Sequence, residues 1–198
     1  SSYSEGQSMG VAGLTRNAIA EKSHGLIALS GGREGDVGKA LLAGNLEEAK
    51  RLAGRWQEIF PDAFYIELHR TGRSSEEDYN VLAVNLAIEL GCPVVATNDV
   101  RFLAQDEFEA HEVRVCIHDS RTLDDPRRER RYSDQQYLKT AQEMVELFAD
   151  IPEALENSVE IAKRCNVSLD LGNYYLPEYP VPEGMTTEAF LNDVSAQG

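Results

Sequence analysis

Asp99 and Arg101 sit in the stretch of this chain where chemistry is most concentrated. The segment Val94-Val95-Ala96-Thr97-Asn98-Asp99-Val100-Arg101-Phe102 begins apolar and ends in an acid followed by a base. The run from Pro93 to Ala96 reads as a buried parallel strand, and in α/β folds catalytic and metal-binding groups collect at the carboxyl ends of such strands. A carboxylate there is a good ligand for a hard cation. A guanidinium two positions on stays protonated and repels one. The segment therefore has the form of a metal site in which one ligand has become a fixed positive charge. Glu67 and His69 lie on a second candidate strand, on one face because side chains alternate. With Asp99 they could donate oxygen and nitrogen ligands to a divalent ion. The structural alternative is that His69 is a satisfied core or surface histidine and that Glu67 pairs with Arg70 or Arg73, because a metal site needs three or more convergent ligands.

Other chemistry-bearing groups carry less. Gly31-Gly32-Arg33-Glu34-Gly35 follows an apolar run and precedes a helical one, as a phosphate-cradling loop would. Gly38-Lys39-Ala40 lacks the hydroxyl that a Walker loop offers to magnesium, and the dinucleotide spacing also fails. A tight turn between strand and helix is the expectation. His111 and His118 fall on roughly one helix face without a matching acid, and read as structural. No G-x-S-x-G nucleophile elbow is present. The stretch from Arg121 to Arg131 holds five arginines and three acids. It reads as a solvated linker rather than a nucleic-acid contact, because the signs are interleaved.

The elements that must position these groups follow from apolar spacing. A short helix is expected within residues 11–22 and a strand over Gly25 to Ser30. Asp36 is the expected N-cap of a short helix that Gly44 ends. Asn45 and Glu48 have capping-box spacing and open a helix to about Phe60, stopped by Pro61. A strand from Ala63 to His69, a helix from Ser74 or Ser75 to about Leu90, a strand from Pro93 to Thr97 and a helix from about Asp106 to Ile117 complete a repeated βα order, which implies a parallel sheet or barrel. Three strands are few for such a sheet, whose faces and edges need cover. Thr140 and Glu143 then form a capping box. Pro152 suits the first turn of a helix to about Cys165. Residues 166–184, with Pro177, Pro180 and Pro182, are expected to be extended, and Thr186 to open a last helix.

Composition bounds the function. The chain has 198 residues and a formal net charge of −15, which argues against this piece gripping nucleic acid by itself, since phosphate binding needs dense Lys and Arg. No run of about 18 apolar residues exists, so no membrane span is expected. The three cysteines form no C-x-x-C pair, and a reducing cytoplasm is the simplest setting.

The order of longer motifs carries a resemblance. The segments from Gly25 to Leu42, Glu67 to Arg73, Pro93 to Phe102, Glu109 to Asp119 and Leu147 to Ser158 resemble, in sequence and in order, the alpha subunits of the bacterial replicative polymerases of the C family, DNA polymerase III. The likeness runs from Gly25 to Leu191. In that family these segments belong to the N-terminal PHP domain, named for polymerase and histidinol phosphatase. The resemblance implies an α/β fold, a distorted seven-stranded βα barrel with parallel strands, of which about three strands are visible here. It implies up to three metal ions at the strand carboxyl ends in members that keep a His-x-His, a glutamate, further histidines and a late Asp-x-His. This chain has no His-x-His, and Asp99-Val100-Arg101 stands where Asp-x-His is expected. Glu67 and Asp99 are then remnant metal ligands, with Arg101 filling a vacated ligand position and pairing with both acids.

The resemblance further implies residues 1–131 as the later portion of a PHP domain that the chain enters partway through, and residues 132–198 as a helical and extended connection toward the polymerase palm. The parent enzyme would be a DNA-directed DNA polymerase, a nucleotidyltransferase using palm-bound Mg2+, DNA and nucleotides. This piece would hold no cofactor and would not polymerise DNA alone. It would be a scaffold and a docking surface for a proofreading exonuclease subunit. The alternative is a metal-dependent phosphoesterase or 3'-5' exonuclease acting through the PHP site. A partial barrel is also expected to leave strand edges open.

Overall fold

The computed structural model describes residues 7–8, 11–174 and 179–197. Two compact units divide the chain, Ser1–Cys165 and Asn166–Gly198. Residues 132–165 pack within the first unit, where their helices cover one edge of the sheet.

The first unit opens with two short antiparallel strands, β1 (Gln7–Ser8) and β2 (Val11–Ala12), and a one-turn helix α1 (Arg16–Ala20). The helix expected over 11–22 begins only where Thr15 caps it, its Oγ1 accepting from Ala18 N at 3.2 Å. β3 (Ala28–Leu29), α2 (Asp36–Leu42), α3 (Leu46–Ile59), β4 (Phe64–His69), α4 (Glu76–Leu90), β5 (Val94–Thr97) and α5 (Phe108–His118) follow. The strands form one parallel sheet in the order β3-β4-β5. The expected alternation of strands and helices is therefore present. β3 pairs over two residues only, against Phe64 and Tyr65, shorter than its apolar run suggests, since an edge strand is held by a single neighbour.

β4 is the central strand and is buried at every position except Glu67, which is half-buried. Ile66 and Leu68 point into a core with Val37, Ala53, Tyr79, Ala83 and Leu86. Burying Ile66, Leu68, Val37 and Leu86 contributes roughly 1.5–3 kcal/mol each relative to exposure, which makes β4 and α4 the spine of the unit. α3 is capped by Asn45, whose Oδ1 accepts from Glu48 N at 3.3 Å, and ends two residues before Pro61. Asp36 does not cap α2 as expected. Gly35 holds that position, and Asp36 is the first helical residue; its carboxylate accepts from Trp56 Nε1 at 3.1 Å and from Arg16 at 2.6 Å instead.

The chain then crosses the carboxyl end of the sheet. α6 (Ala141–Leu147) and α7 (Pro152–Arg164) cover the β5 side, with Phe148 and Ala154 fully buried. Asn157 Nδ2 donates to Val94 O at 2.8 Å and ties α7 to β5. The capping box of α6 is formed in both directions between Thr140 and Glu143, and Pro152 is in the first turn of α7. In the second unit, α8 (Thr187–Gln197) is the helix expected near Thr186, and Tyr179 and Phe190 stack at 5.9 Å. The described residues before it form no helix or strand. Residues 175–178, with Pro177, lie outside the described residues.

Candidate functional site at the carboxyl end of the sheet

β4 and β5 run parallel in register, with Glu67 opposite Val95 and His69 opposite Thr97. Their carboxyl ends deliver Glu67, His69, Thr97 and Asp99 to one side of the sheet. Glu67 and His69 share a face, as alternation requires, and Glu67 Oε1 is 3.3 Å from His69 Nε2. The same oxygen accepts from Thr97 Oγ1 at 2.6 Å. Burial alone would raise the Glu67 carboxyl, but the bonds from His69 and Thr97 outweigh it and hold its pKa below the ordinary value. Glu67 thus pairs with neither Arg70 nor Arg73. Arg70 instead forks onto Asp150, at 2.5 and 2.8 Å, over the face of Phe148.

Asp99 is held in a left-handed backbone conformation, φ 41°, which is uncommon for a residue with a side chain. Two guanidinium groups fix its carboxylate. Arg101 Nη2 lies 2.7 Å from Oδ1, and Arg73 Nη1 lies 2.9 Å from Oδ2. Gln136, fully buried, donates to both Asp99 O at 3.1 Å and Asp99 Oδ2 at 2.9 Å. The expectation that Arg101 is the fixed internal cation joining both acids is corrected here. Arg101 bonds Asp99 but not Glu67, is 42% exposed, and lies over the ring of Tyr132. Arg73 is the inner cation. Its side chain is 7% exposed and also reaches Glu76 Oε1 at 3.2 Å, Thr71 Oγ1 at 2.9 Å and the edge of His69 at 3.5 Å.

Local sequence explains why Arg73 arrives there. β4 ends at His69, and Gly72 takes φ 75°, turning the chain back across the sheet end. Glu76, in the first turn of α4, accepts from Thr71 N at 2.5 Å and Thr71 Oγ1 at 2.8 Å; an acid is favoured at a helix N-terminus. Arg73 is therefore placed between an acid in the first turn of α4 and an acid in the loop after β5. Only Thr71 and Gly72 of the loop and Glu76 at the start of α4 hinted at this, and a distance of 26 residues separates Arg73 from Asp99.

Two further segments close the site. Gly32 sits in the turn Gly32–Glu34 at φ 56°, and a Cβ there would lie 2.6 Å from the His69 ring. The glycine loop is thus the tight turn expected between strand and helix, and it packs on His69. On the other side, residues 133–138 form a strap. Ser133 Oγ donates to Thr71 O at 2.5 Å, Arg101 N donates to Gln136 O at 2.8 Å, and Asn98 Nδ2 donates to Gln135 O and Tyr137 O. The strap extends the sheet end by a parallel bridge between Phe102 and Tyr137. Nothing in the local composition of residues 133–138 marks it in advance. His111 packs between Phe102 and Tyr132 at 5.5 and 4.7 Å, while His118 is largely exposed beside Asp119.

Divalent metals are what the PHP resemblance implies at this end of the sheet, and the residues gathered here do not fit them. Both Asp99 oxygens are taken by guanidinium groups, a permanent positive charge lies 2.9 Å from one of them, and no three His, Cys, Asp or Glu side chains converge among the described residues.

Comparisons with known proteins bear on the family of the chain. The family model of the PHP domain matches residues 1–71. DNA polymerase III subunit alpha of Pseudomonas fluorescens is 53% identical over 196 residues, 99% of this chain. That of Pseudomonas aeruginosa is 54% identical over the same length, and that of Escherichia coli K12 is 54% identical over 185 residues, 93% of this chain. The chain is related over nearly its whole length to DNA polymerase III alpha subunits, and its residues 1–71 match the PHP domain. It spans about a sixth of the length of these curated relatives, 17% of the first and 16% of the last. The PHP match ends at Thr71, so Arg73, Asp99, Arg101 and Gln136 lie beyond it and are covered by the alpha-subunit likeness alone.

Proposed function

We propose that this chain serves as a PHP-domain segment in the catalytic subunit of a replicative DNA polymerase, and that its role there is structural. The near end-to-end likeness to alpha subunits supports the parent activity, template-directed DNA synthesis from deoxynucleoside triphosphates with Mg2+ held in a palm domain outside this chain. The observation that carries the structural role is the Arg73 guanidinium lodged between Asp99 and Glu76. An ion pair of this kind supplies the rigidity of a metal cluster without its Lewis acidity. In this reading Glu67 and Asp99 are remnants of a metal site, and the three parallel strands are part of a larger distorted seven-stranded barrel. The residues after Tyr132 lead toward the palm. The partners are the rest of the subunit, DNA and nucleotides through it, and a proofreading exonuclease subunit. The setting is the cytoplasm, in keeping with three free cysteines. Among the described residues no helix is long and apolar enough to cross a membrane.

Metal content and hydrolysis in the full-length subunit test this. The expected result is no stoichiometric zinc or manganese, and Asp99→Asn lowering the melting temperature while leaving any exonuclease or phosphoesterase background unchanged. Stoichiometric metal that is lost in Asp99→Ala together with a phosphoesterase or 3'-5' exonuclease activity would establish the PHP site as an active centre.

A further inference from the structure

We infer that the groove between α4 and the start of α7 is a docking surface for a partner segment that presents aliphatic anchors flanked by Lys or Arg. The inference rests on the docking role proposed above and gives it a place and a chemistry. α4 buries Tyr79, Ala83, Leu86 and Ala87 in the core. A helix with one face in the core normally turns polar residues outward. Here Val81 and Ile88 are 57% and 75% exposed, and Val84 is half-buried between them. Their spacing sets all three on one stripe. The stripe borders a cavity of about 510 Å³ whose other wall includes Val94 and Ile151, a depression suited to an aliphatic side chain.

The charge around this groove selects the occupant. Glu77 and Asp150 stand at one end, 68% and 60% exposed, and share the single guanidinium of Arg70. Glu153 lines the cavity itself and has no ion-pair partner among the described residues. α4 carries neither Lys nor Arg; of its acids, Glu76 is buried against Arg73 and Glu89 is paired with Lys50 at 2.6 Å, which leaves Glu77 and Asp78 as its exposed acids beside this groove. An apolar floor with an acidic rim favours a basic, aliphatic segment, because like charge across an interface is strongly unfavourable. The same rim disfavours a second copy of this chain meeting face to face, which would bring acids against acids. It disfavours nucleic acid and anionic lipid for the same reason.

The test uses the full-length subunit and a fluorescent peptide of leucines and lysines whose leucines share one helical face. A scrambled peptide of the same composition controls for attraction to an acidic protein. The amphipathic peptide is expected to bind and the scrambled one to bind at least about tenfold more weakly, as hot-spot anchoring requires. Replacing Val81→Ser and Ile88→Ser, both solvent-facing, should remove that difference without lowering the melting temperature. Glu153→Lys should weaken the amphipathic peptide by itself, so a fold defect in the serine variant does not leave the surface untested. Equal binding of the two peptides, indifference to all these substitutions, or self-association that the serine variant abolishes would each overturn the assignment. The proofreading subunit separates the two levels. If it binds and neither displaces the peptide nor responds to the substitutions, this surface is not its dock although the docking role stands. If it does not bind at all while the peptide behaves as expected, the docking role falls and the surface remains.

Discussion

Arg73 and Asp99 form a 2.9 Å ion pair at the carboxyl end of the sheet, 26 residues apart in the chain, with only 7% of the arginine side chain exposed. The pair joins the loop after β4 to the loop after β5. It is also the reason that the site has the charge balance of a metal centre with an organic cation inside it.

Removing the inner cation should therefore matter more than removing the outer one. Arg73→Met leaves Glu76 and Asp99 without their buried counter-charge and is expected to destabilise the fold by about 3 kcal/mol or more. Arg101→Ala, at a half-exposed position, should cost less than about 1 kcal/mol. Arg73→Lys should recover only part of the loss, because an ammonium cannot reproduce the fork that meets Thr71, Glu76 and Asp99 together. Urea denaturation reads all three. Equal effects at positions 73 and 101 would remove Arg73 from its central place.

The glycine loop offers a paired comparison. Gly32 and Gly44 both have positive φ, but a Cβ meets the His69 ring only at Gly32, and at Gly44 it meets nothing within 4 Å. Gly44→Ala is expected to lose about 1–2 kcal/mol from backbone conformation alone. Gly32→Ala should lose clearly more, because the His69 ring must also shift. Thermal melts of the two variants check the contact between loop and histidine.

Acid should loosen α6 before it unfolds the sheet. Glu143 is held at a pKa of about 2, first by the Tyr137 hydroxyl and then by Thr140 N and Oγ1. Its folded pKa lies below the ordinary value of 4.5, so its contribution is fully present above about pH 4.5 and is lost as the pH falls toward 2. Glu143→Gln should flatten the pH dependence of stability in that window and leave the curve above it unchanged in shape. A variant whose acid limb matches that of the parent chain would show that the capping box is not the group titrating.

Thiol reactivity should sort the three cysteines. Cys165 is exposed, whereas Cys92 and Cys116 are buried, and burial pushes the Cys92 thiol up to about 11. A thiol reagent at pH 8 should modify one cysteine rapidly and the other two only on unfolding, since the thiolate is the reactive form. Peptide mapping should locate the fast label at Cys165, and fast labelling of Cys92 would contradict the packing of β4 against the α4–β5 turn.

Much of the fold could be read from the chain because its signals are local. Apolar runs marked β4 and β5. Thr140 with Glu143, Asn45 with Glu48, and Pro152 marked helix starts through contacts three or four residues long, which spacing alone can specify. The βα order of three parallel strands and the long alpha-subunit motifs were equally legible. What spacing could not specify was which of several arginines becomes the inner cation. Arg101 is only two residues from Asp99 in sequence, yet its position leaves it half in solvent. Arg73 is buried because the turn at Gly72, the first turn of α4 and the end of β5 converge on one point. Gln136 and its strap were invisible for the same reason. The energy of an ion pair or a buried amide depends on distance and on exclusion of water, and both are fixed only when segments far apart in the chain have packed.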